Sequence, residues 1–175
     1  MRSVTLTTCV ASLVLAGGGC GGGDERPSPT EWATAFCTST REWADEIERI
    51  TDDVADLRSL TGELEEAVAA ARETTNAYAD ELRALDPPDT ESSEEIETAI
   101  EGLADELDAE TAEIEDAFDD ASGLSGPAAV GREVASSVAA MFTSLERTFE
   151  SIEDADVEDL TQAFEDAEAC DEMDL

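Results

Sequence analysis

Apolar residues recur at alternating spacings of four and three residues through most of the chain. This spacing places them on one side of an α-helix and acidic residues on the other, and no stretch shows the alternation typical of strands. Four segments carry such apolar stripes: Trp32, Phe36, Trp43, Ile47, Ile50, Val54 and Leu57; Leu64, Val68, Ala71, Thr75, Tyr78, Leu82 and Leu85; Ile96, Ile100, Leu103, Leu107, Ile114, Phe118 and Ala121; and Val130, Val134, Val138, Met141, Leu145, Phe149 and Ile152. A fifth, shorter segment has Val157, Leu160, Phe164 and Ala167.

Helix-capping and helix-breaking residues fall between these segments. Ser28, Pro29 and Glu31 predict the start of the first helix, since they form a capping box with proline at the first helical position. Ser92 and Glu95 can cap the third helix in the same way. Breaks are predicted at residues 59–62, 87–88, 123–127 and 154–156. Short connections favour antiparallel neighbours, so we predict an all-α, up-down-up-down antiparallel four-helix bundle with a short C-terminal helix over residues 29–175.

The first part of the chain has the pattern of an export signal. An apolar run over residues 4–16 follows a basic start, and it is too short to span a bilayer. The cysteine after three glycines resembles a bacterial lipobox, although Gly17 stands where an aliphatic residue is usual. We predict a lipoprotein-type signal peptide at 1–19, lipidation at Cys20 and a flexible tether at 20–28. The alternative is ordinary cleavage at the glycines, which would release a soluble secreted protein.

The charge of the chain excludes several functions. Forty-six acidic residues against nine basic ones give a net charge of −37, which argues against binding nucleic acid through its phosphates. Docking onto anionic lipid head groups is disfavoured too, so we expect membrane contact through the lipid on Cys20. The chain has no histidine, which removes the usual general base and the commonest metal ligand. No nucleophile–base pair can be proposed, and we predict neither an enzyme nor a bound cofactor.

Two cysteines remain in the predicted mature domain. Cys9 lies in the apolar run that is removed and Cys20 is predicted to be lipidated, which leaves Cys37 and Cys170. An exported chain meets an oxidising compartment, where an even number of cysteines favours a disulfide. In an up-down bundle, the start of the first helix and the end of the chain lie near the same end. We predict a structural Cys37–Cys170 bond; the alternative, a redox pair, lacks the C-x-x-C spacing that lowers a thiol pKa.

One acidic segment partly matches a calcium-binding loop. Asp154, Asp156 and Glu158 occupy alternate positions, and Glu165 lies where such a loop has its bidentate acid. Asp159, however, replaces the glycine that the sharp turn requires. An acidic N-terminus of the last helix explains the same residues, because negative charge stabilises that end of the helix dipole. We therefore predict no metal site, only weak association of cations with the acidic faces.

Several motifs together resemble a known group of proteins. The lipobox-like Cys20 is followed by Trp32-x-x-x-Phe36-Cys37 and Trp43 in the first helix, and later by the turns Leu-Asp-Pro-Pro-Asp-Thr at 85–90 and Gly-Leu-Ser-Gly at 123–126. The chain closes with Phe-Glu-Asp-Ala-Glu-Ala-Cys at 164–170. This combination resembles small all-helical secreted lipoproteins of actinobacteria, over nearly the whole mature chain. The resemblance supports the extracytoplasmic face of the cell membrane, the bundle and the disulfide. It implies no catalytic or binding residue.

Two functional hypotheses follow from these observations. The first is a lipid-anchored, acidic extracytoplasmic bundle with a structural or protein-interaction role in the cell envelope, where a protein partner is expected. The alternative is a binding module for a small ligand between the helices or for a divalent cation on the acidic surface. Trp32, Phe36 and Trp43 form a candidate aromatic ligand box, although such a stripe is more often core. An apolar cavity inside the bundle would favour the second hypothesis.

The net charge generates a prediction about salt. Self-repulsion at −37 destabilises the compact state, and molar salt shortens the Debye length to about 3 Å and screens that repulsion. We therefore expect adaptation to a saline habitat, and a melting temperature that rises between low and molar NaCl in a calorimetric or circular-dichroism scan. No gain in stability over this range would contradict the idea.

Overall fold

A computed structural model describes residues 26–56, 61–121, 127–155 and 158–171 of the chain. Six helices are present: α1 (Pro29–Asp56), α2 (Thr61–Ala84), α3 (Ser93–Ala121), α4 (Pro127–Asp154), α5 (Glu158–Asp166) and α6 (Glu168–Asp171). They pack against one another, and these ranges contain no strand. The all-helical prediction is confirmed. The predicted signal peptide at 1–19 and the tether residues 20–25 lie outside the described residues.

The start of α1 has the predicted capping box. The Ser28 hydroxyl and backbone N–H both donate to Glu31 Oε2, at 2.7 and 3.0 Å, and the Glu31 N–H donates back to Ser28 Oγ at 3.4 Å. Pro29 occupies the first helical position. The hydrogen bonds from Ser28 lower the pKa of the Glu31 carboxyl. The stabilisation from the ionised cap is therefore complete above the ordinary carboxyl pKa and is lost as the pH falls through the lowered value.

The connection between α2 and α3 binds the segment that precedes α1. Helix α2 ends at Ala84, ahead of the two prolines as predicted. The Asp89 N–H donates to the Pro27 carbonyl at 2.9 Å, and Arg26 Nη1 donates to Ser93 Oγ at 2.5 Å. Residues 26–28, predicted as part of a flexible tether, are thus attached to the folded body.

Ser92 begins α3 differently from the prediction. Its carbonyl accepts the N–H groups of Glu95 and Ile96, each at 3.0 Å, which starts the helix. Its hydroxyl does not complete a capping box with Glu95 but donates to the Ala155 carbonyl, at 3.1 Å, in the connection between α4 and α5. The Ser92 hydroxyl, which the local sequence pattern assigned to capping, is therefore used in a tertiary hydrogen bond. The same bond brings the α2–α3 and α4–α5 connections to one end of the molecule.

The apolar stripes meet in one core. Every stripe residue whose side chain is described is buried or packed against the buried cluster. The largest fully buried apolar side chains come from five helices: Trp32, Phe36, Leu82, Ile96, Leu103, Leu107, Met141, Leu145, Ile152 and Leu160. The side chains of the other stripe residues lie outside the described part of the chain: Val54, Leu57, Leu64, Phe118, Ala121, Val130 and Val157.

We expect the cap on α1 to contribute measurably to stability. Replacing Ser28 with alanine removes the hydroxyl from both of its bonds with Glu31, and losing such a cap costs about 1 kcal/mol. Urea unfolding measures the loss. Ser136→Ala is the matched control, since Ser136 is exposed inside α4. Equal stability changes in the two variants would show that the cap contributes nothing.

Candidate functional site

Aromatic side chains fill the part of the core near the start of α1. Rings of Trp32 and Phe36 from α1, Phe149 from α4 and Phe164 from α5 lie against one another, with centroids 5.1 to 6.4 Å apart. Trp32 and Phe36 are almost completely buried. The rings occupy the space between the helices themselves. Two of the three residues of the candidate ligand box therefore serve as packed core.

The third member of that box, Trp43, lies in a second aromatic group. Its ring is stacked on Tyr78 of α2 at 5.1 Å and tilted against Phe142 of α4 at 5.2 Å. The indole N–H donates to Thr75 Oγ1 at 3.2 Å. The polar atom of the ring is thus satisfied inside the core, which removes the main cost of burying it. Trp43 also serves packing.

A short chain of buried hydroxyls lies beside Trp43. Thr40 Oγ1 donates to the Phe36 carbonyl at 2.8 Å, so the Tyr78 hydroxyl, 2.7 Å away, is the donor in the bond with Thr40. Burial raises the pKa of the Tyr78 phenol. The phenol therefore stays protonated and acts as a hydrogen-bond donor, and its role is to fix the register of α1 against α2.

The two predicted cysteines are joined. Cys37 of α1 and Cys170 of α6 form a disulfide, with their Cα atoms 5.2 Å apart. Cys37 is fully buried and Cys170 partly buried, and both α5 and α6 pack against α1. The buried Cys37 sulfur is not accessible to an attacking thiol, which favours the structural interpretation over the redox pair. The bond ties α6 to α1 beside the aromatic side chains.

The acidic residues of the candidate calcium loop are not arranged as a loop where the structure describes them. Asp154 is the last residue of α4, and Asp156 lies outside the described residues. Glu158 and Glu165 are exposed on α5, and because that stretch is helical they lie about 10 Å apart along its axis. Within the described ranges, no group of three or more acidic or cysteine side chains is close enough to hold a metal ion.

Two arginines of α2 link it to α3 across the acidic surface. Arg83 of α2 donates to Asp105 and Asp108 of α3, at 3.0 and 2.5 Å. Arg72 pairs with Glu115 between the same two helices. These pairs are largely exposed, and exposed pairs contribute at most about 1 kcal/mol each. Their role is to reduce repulsion between facing acidic surfaces.

A small apolar cavity lies between the four long helices, beyond the aromatic groups. Its volume is about 60 Å³, and its walls include Ile47 and Ile50 of α1, Val68 and Ala71 of α2, Ile114 of α3 and Val138 of α4. Sequence reasoning did not locate it. The sequence does contain an indication of it. Helices α2 and α4 have alanine and valine beside the cavity, whereas they have tyrosine and phenylalanine in the aromatic part of the core.

A second, open depression of about 750 Å³ lies at the end of the molecule where the chain enters α1. Arg26 and Pro27 line it together with Leu85, Asp86 and Asp89 of the α2–α3 connection. Its wide opening and mixed lining distinguish it from the cavity between the helices. It lies where residues 26–28 meet the α2–α3 connection.

Comparison with known proteins identifies no relative. No protein family, no curated protein sequence and no solved structure matches this chain significantly. Among the described helices, none combines the length and the apolar character needed to cross a membrane. The resemblance to actinobacterial lipoproteins therefore stays a prediction from the motifs that carry it.

We expect the disulfide to be a major source of stability. It joins residues 133 positions apart, and closing a loop of this length is worth about 4–5 kcal/mol in the chain-entropy model. Denaturant unfolding of a Cys37→Ser, Cys170→Ser double variant measures the loss. Wild-type protein unfolded in reductant is the control and should match the variant. Equal stabilities of oxidised and reduced protein would contradict this assignment.

Proposed function

We propose that this chain is a lipid-anchored, acidic, extracytoplasmic helical protein with a structural or protein-interaction role in the cell envelope. The observation that carries the proposal is the Cys37–Cys170 disulfide. Disulfides persist mainly outside the reducing cytosol, so this bond supports the export that residues 1–19 predict. The resemblance to secreted actinobacterial lipoproteins supports the same location.

The proposed architecture is an up-down-up-down antiparallel four-helix bundle. Contacting residue pairs between neighbouring helices support it. In each case the residue number rises along one helix while that of its contact falls along the other, so the two helices are antiparallel. The pairs are Thr40 with Tyr78 and Trp43 with Thr75 between α1 and α2, Arg72 with Glu115 and Arg83 with Asp105 between α2 and α3, and Phe36 with Phe149 and Trp43 with Phe142 between α1 and α4. Helices α5 and α6 then close one end against α1.

The proposed anchor would hold the domain close to the membrane. Arg26 is bonded to the first residue of α3 and Pro27 to the α2–α3 connection, so the proposed tether would begin at Cys20 and end before Arg26. Those six steps along the chain span about 20 Å when fully extended. The end of the bundle with α5 and α6 would then face the lipid, and the far end would point away from it.

An interaction role fits the distribution of side chains. The aromatic rings pack inside the core, while the exposed faces of the helices carry carboxylates. Such faces repel anionic lipid and nucleic acid and complement a partner with a basic surface. Weak cation association with the same faces follows from their charge. We propose a basic protein surface as the partner and assign no catalytic step to this chain.

Metabolic labelling with an alkyne fatty acid tests the anchor. The full-length chain, expressed in a bacterium that processes lipoproteins, should incorporate the label and fractionate with the membrane. Cys20→Ala should lose both properties because the acylated sulfur is gone. Cys9→Ala is the matched control and should behave as wild type, since Cys9 lies in the predicted signal. Unlabelled protein that keeps its leader in the cytosol would refute the proposal.

Crosslinking in the same strains tests the interaction role. The anchored wild type should crosslink to a partner with a basic surface, and Cys20→Ala should do so less, because anchoring raises the local concentration of both proteins. An unrelated lipid-anchored acidic helical protein is the control for nonspecific contacts. If both anchored proteins capture the same proteins equally, the interaction role is wrong.

A further inference from the structure

We propose that the cavity between α1, α2, α3 and α4 binds a small apolar molecule or the end of an alkyl chain. The inference stands independently of the proposed anchor, and it takes up the alternative hypothesis of a small-ligand binding module, which an apolar cavity inside the bundle favours. The walls are almost entirely Ile, Val and Ala side chains. The polar side chain among them, Thr51, already donates its hydroxyl to the Ile47 carbonyl. A buried water needs two to four polar partners, so this space favours an apolar occupant over water.

The cavity arises because two helices, α2 and α4, both have small residues at the same level of the bundle. On α2, Val68 and Ala71 occupy the stripe that continues as Tyr78 and Leu82. On α4, Val134 and Val138 occupy the stripe that continues as Met141 and Phe149, with Phe142 packed beside it. Both helices thus present small side chains at one level and large ones at the other. The cavity therefore results from small side chains in the apolar stripes of both α2 and α4.

The cavity has an opening. Thr51 of α1 and Ala135 of α4 both line it and are both exposed to solvent. The opening therefore lies on the seam between α1 and α4. An occupant can enter there without unfolding the bundle, and an alkyl chain can insert its end while its remainder stays outside.

The volume limits the ligand. About 60 Å³ is less than half of the ~150 Å³ of an engineered cavity that accepts benzene. The site therefore suits a xenon atom or a few methylene groups and excludes an aromatic ring. A free small apolar molecule and the end of a lipid acyl chain share this chemistry, so each needs its own probe.

Methyl NMR on the full folded domain tests the proposal directly. Xenon under pressure and 1-octanol below its solubility limit are titrated separately, and the methyl groups of Ile47, Val68 and Val138 are followed. We expect saturable shifts of these signals with xenon, and no saturable shift of Leu82 or Leu103 in the tightly packed core. Saturation with octanol as well assigns the site to alkyl chain ends, and saturation with xenon alone assigns it to small free molecules. No saturable shift with either probe overturns the proposal.

Two alanine variants provide the matched control. Ala71 lines the cavity, and Ala79 is fully buried two turns further along α2. Ala71→Val should fill the cavity and weaken xenon binding at least tenfold, while Ala79→Val should leave the affinity unchanged. If Ala79→Val does not fold, Ala99→Val on α3 replaces it, because Ala99 packs against the core without lining the cavity. Equal xenon affinity in Ala71→Val and wild type would contradict the assignment.

Discussion

Burial of the apolar stripes against one another is the interaction on which this structure depends. The chain carries a net charge of −37, so its surface opposes compaction, and the few arginine pairs are too exposed to offset that repulsion. The folded state must therefore be stabilised by packing of apolar side chains in the core. The stripes supply it by bringing side chains from five helices into a single core, which explains why the pattern is so regular in a chain of such uneven charge.

The core is not uniform along the bundle. At one level, Trp32, Phe36, Phe149 and Phe164 pack ring against ring, and the disulfide lies beside them. At the other level, alanine and valine leave a cavity. Helix α6, the α2–α3 and α4–α5 connections and residues 26–28 before α1 all gather at the aromatic end. The described segment before α1 and the proposed ligand site thus lie toward opposite ends of the bundle.

Much of this fold follows from the sequence because the helices are long and amphipathic. The stripes predicted which residues are buried, and Ser28 with Glu31 predicted the start of α1, since both depend on local spacing. Ser92 lies at the start of α3 as predicted, but the bond of its hydroxyl to the Ala155 carbonyl was missed, because only tertiary folding brings that residue near. The bonds of Arg26 and Pro27 were missed for the same reason. The cavity was missed because apolar periodicity records which side chains point inward but not how well their volumes fill the space.

Native-state hydrogen exchange tests the central claim, that burial of the apolar stripes in one core holds the bundle together and is tightest at the aromatic end. Amides protected by the best-packed core open only with global unfolding, whereas those near a loosely packed level open locally. We expect the slowest exchange around Phe36, Trp43 and Phe149, and faster exchange around Ile50, Val68 and Val138. Uniform protection along the helices, or slower exchange at the cavity level, would contradict the account.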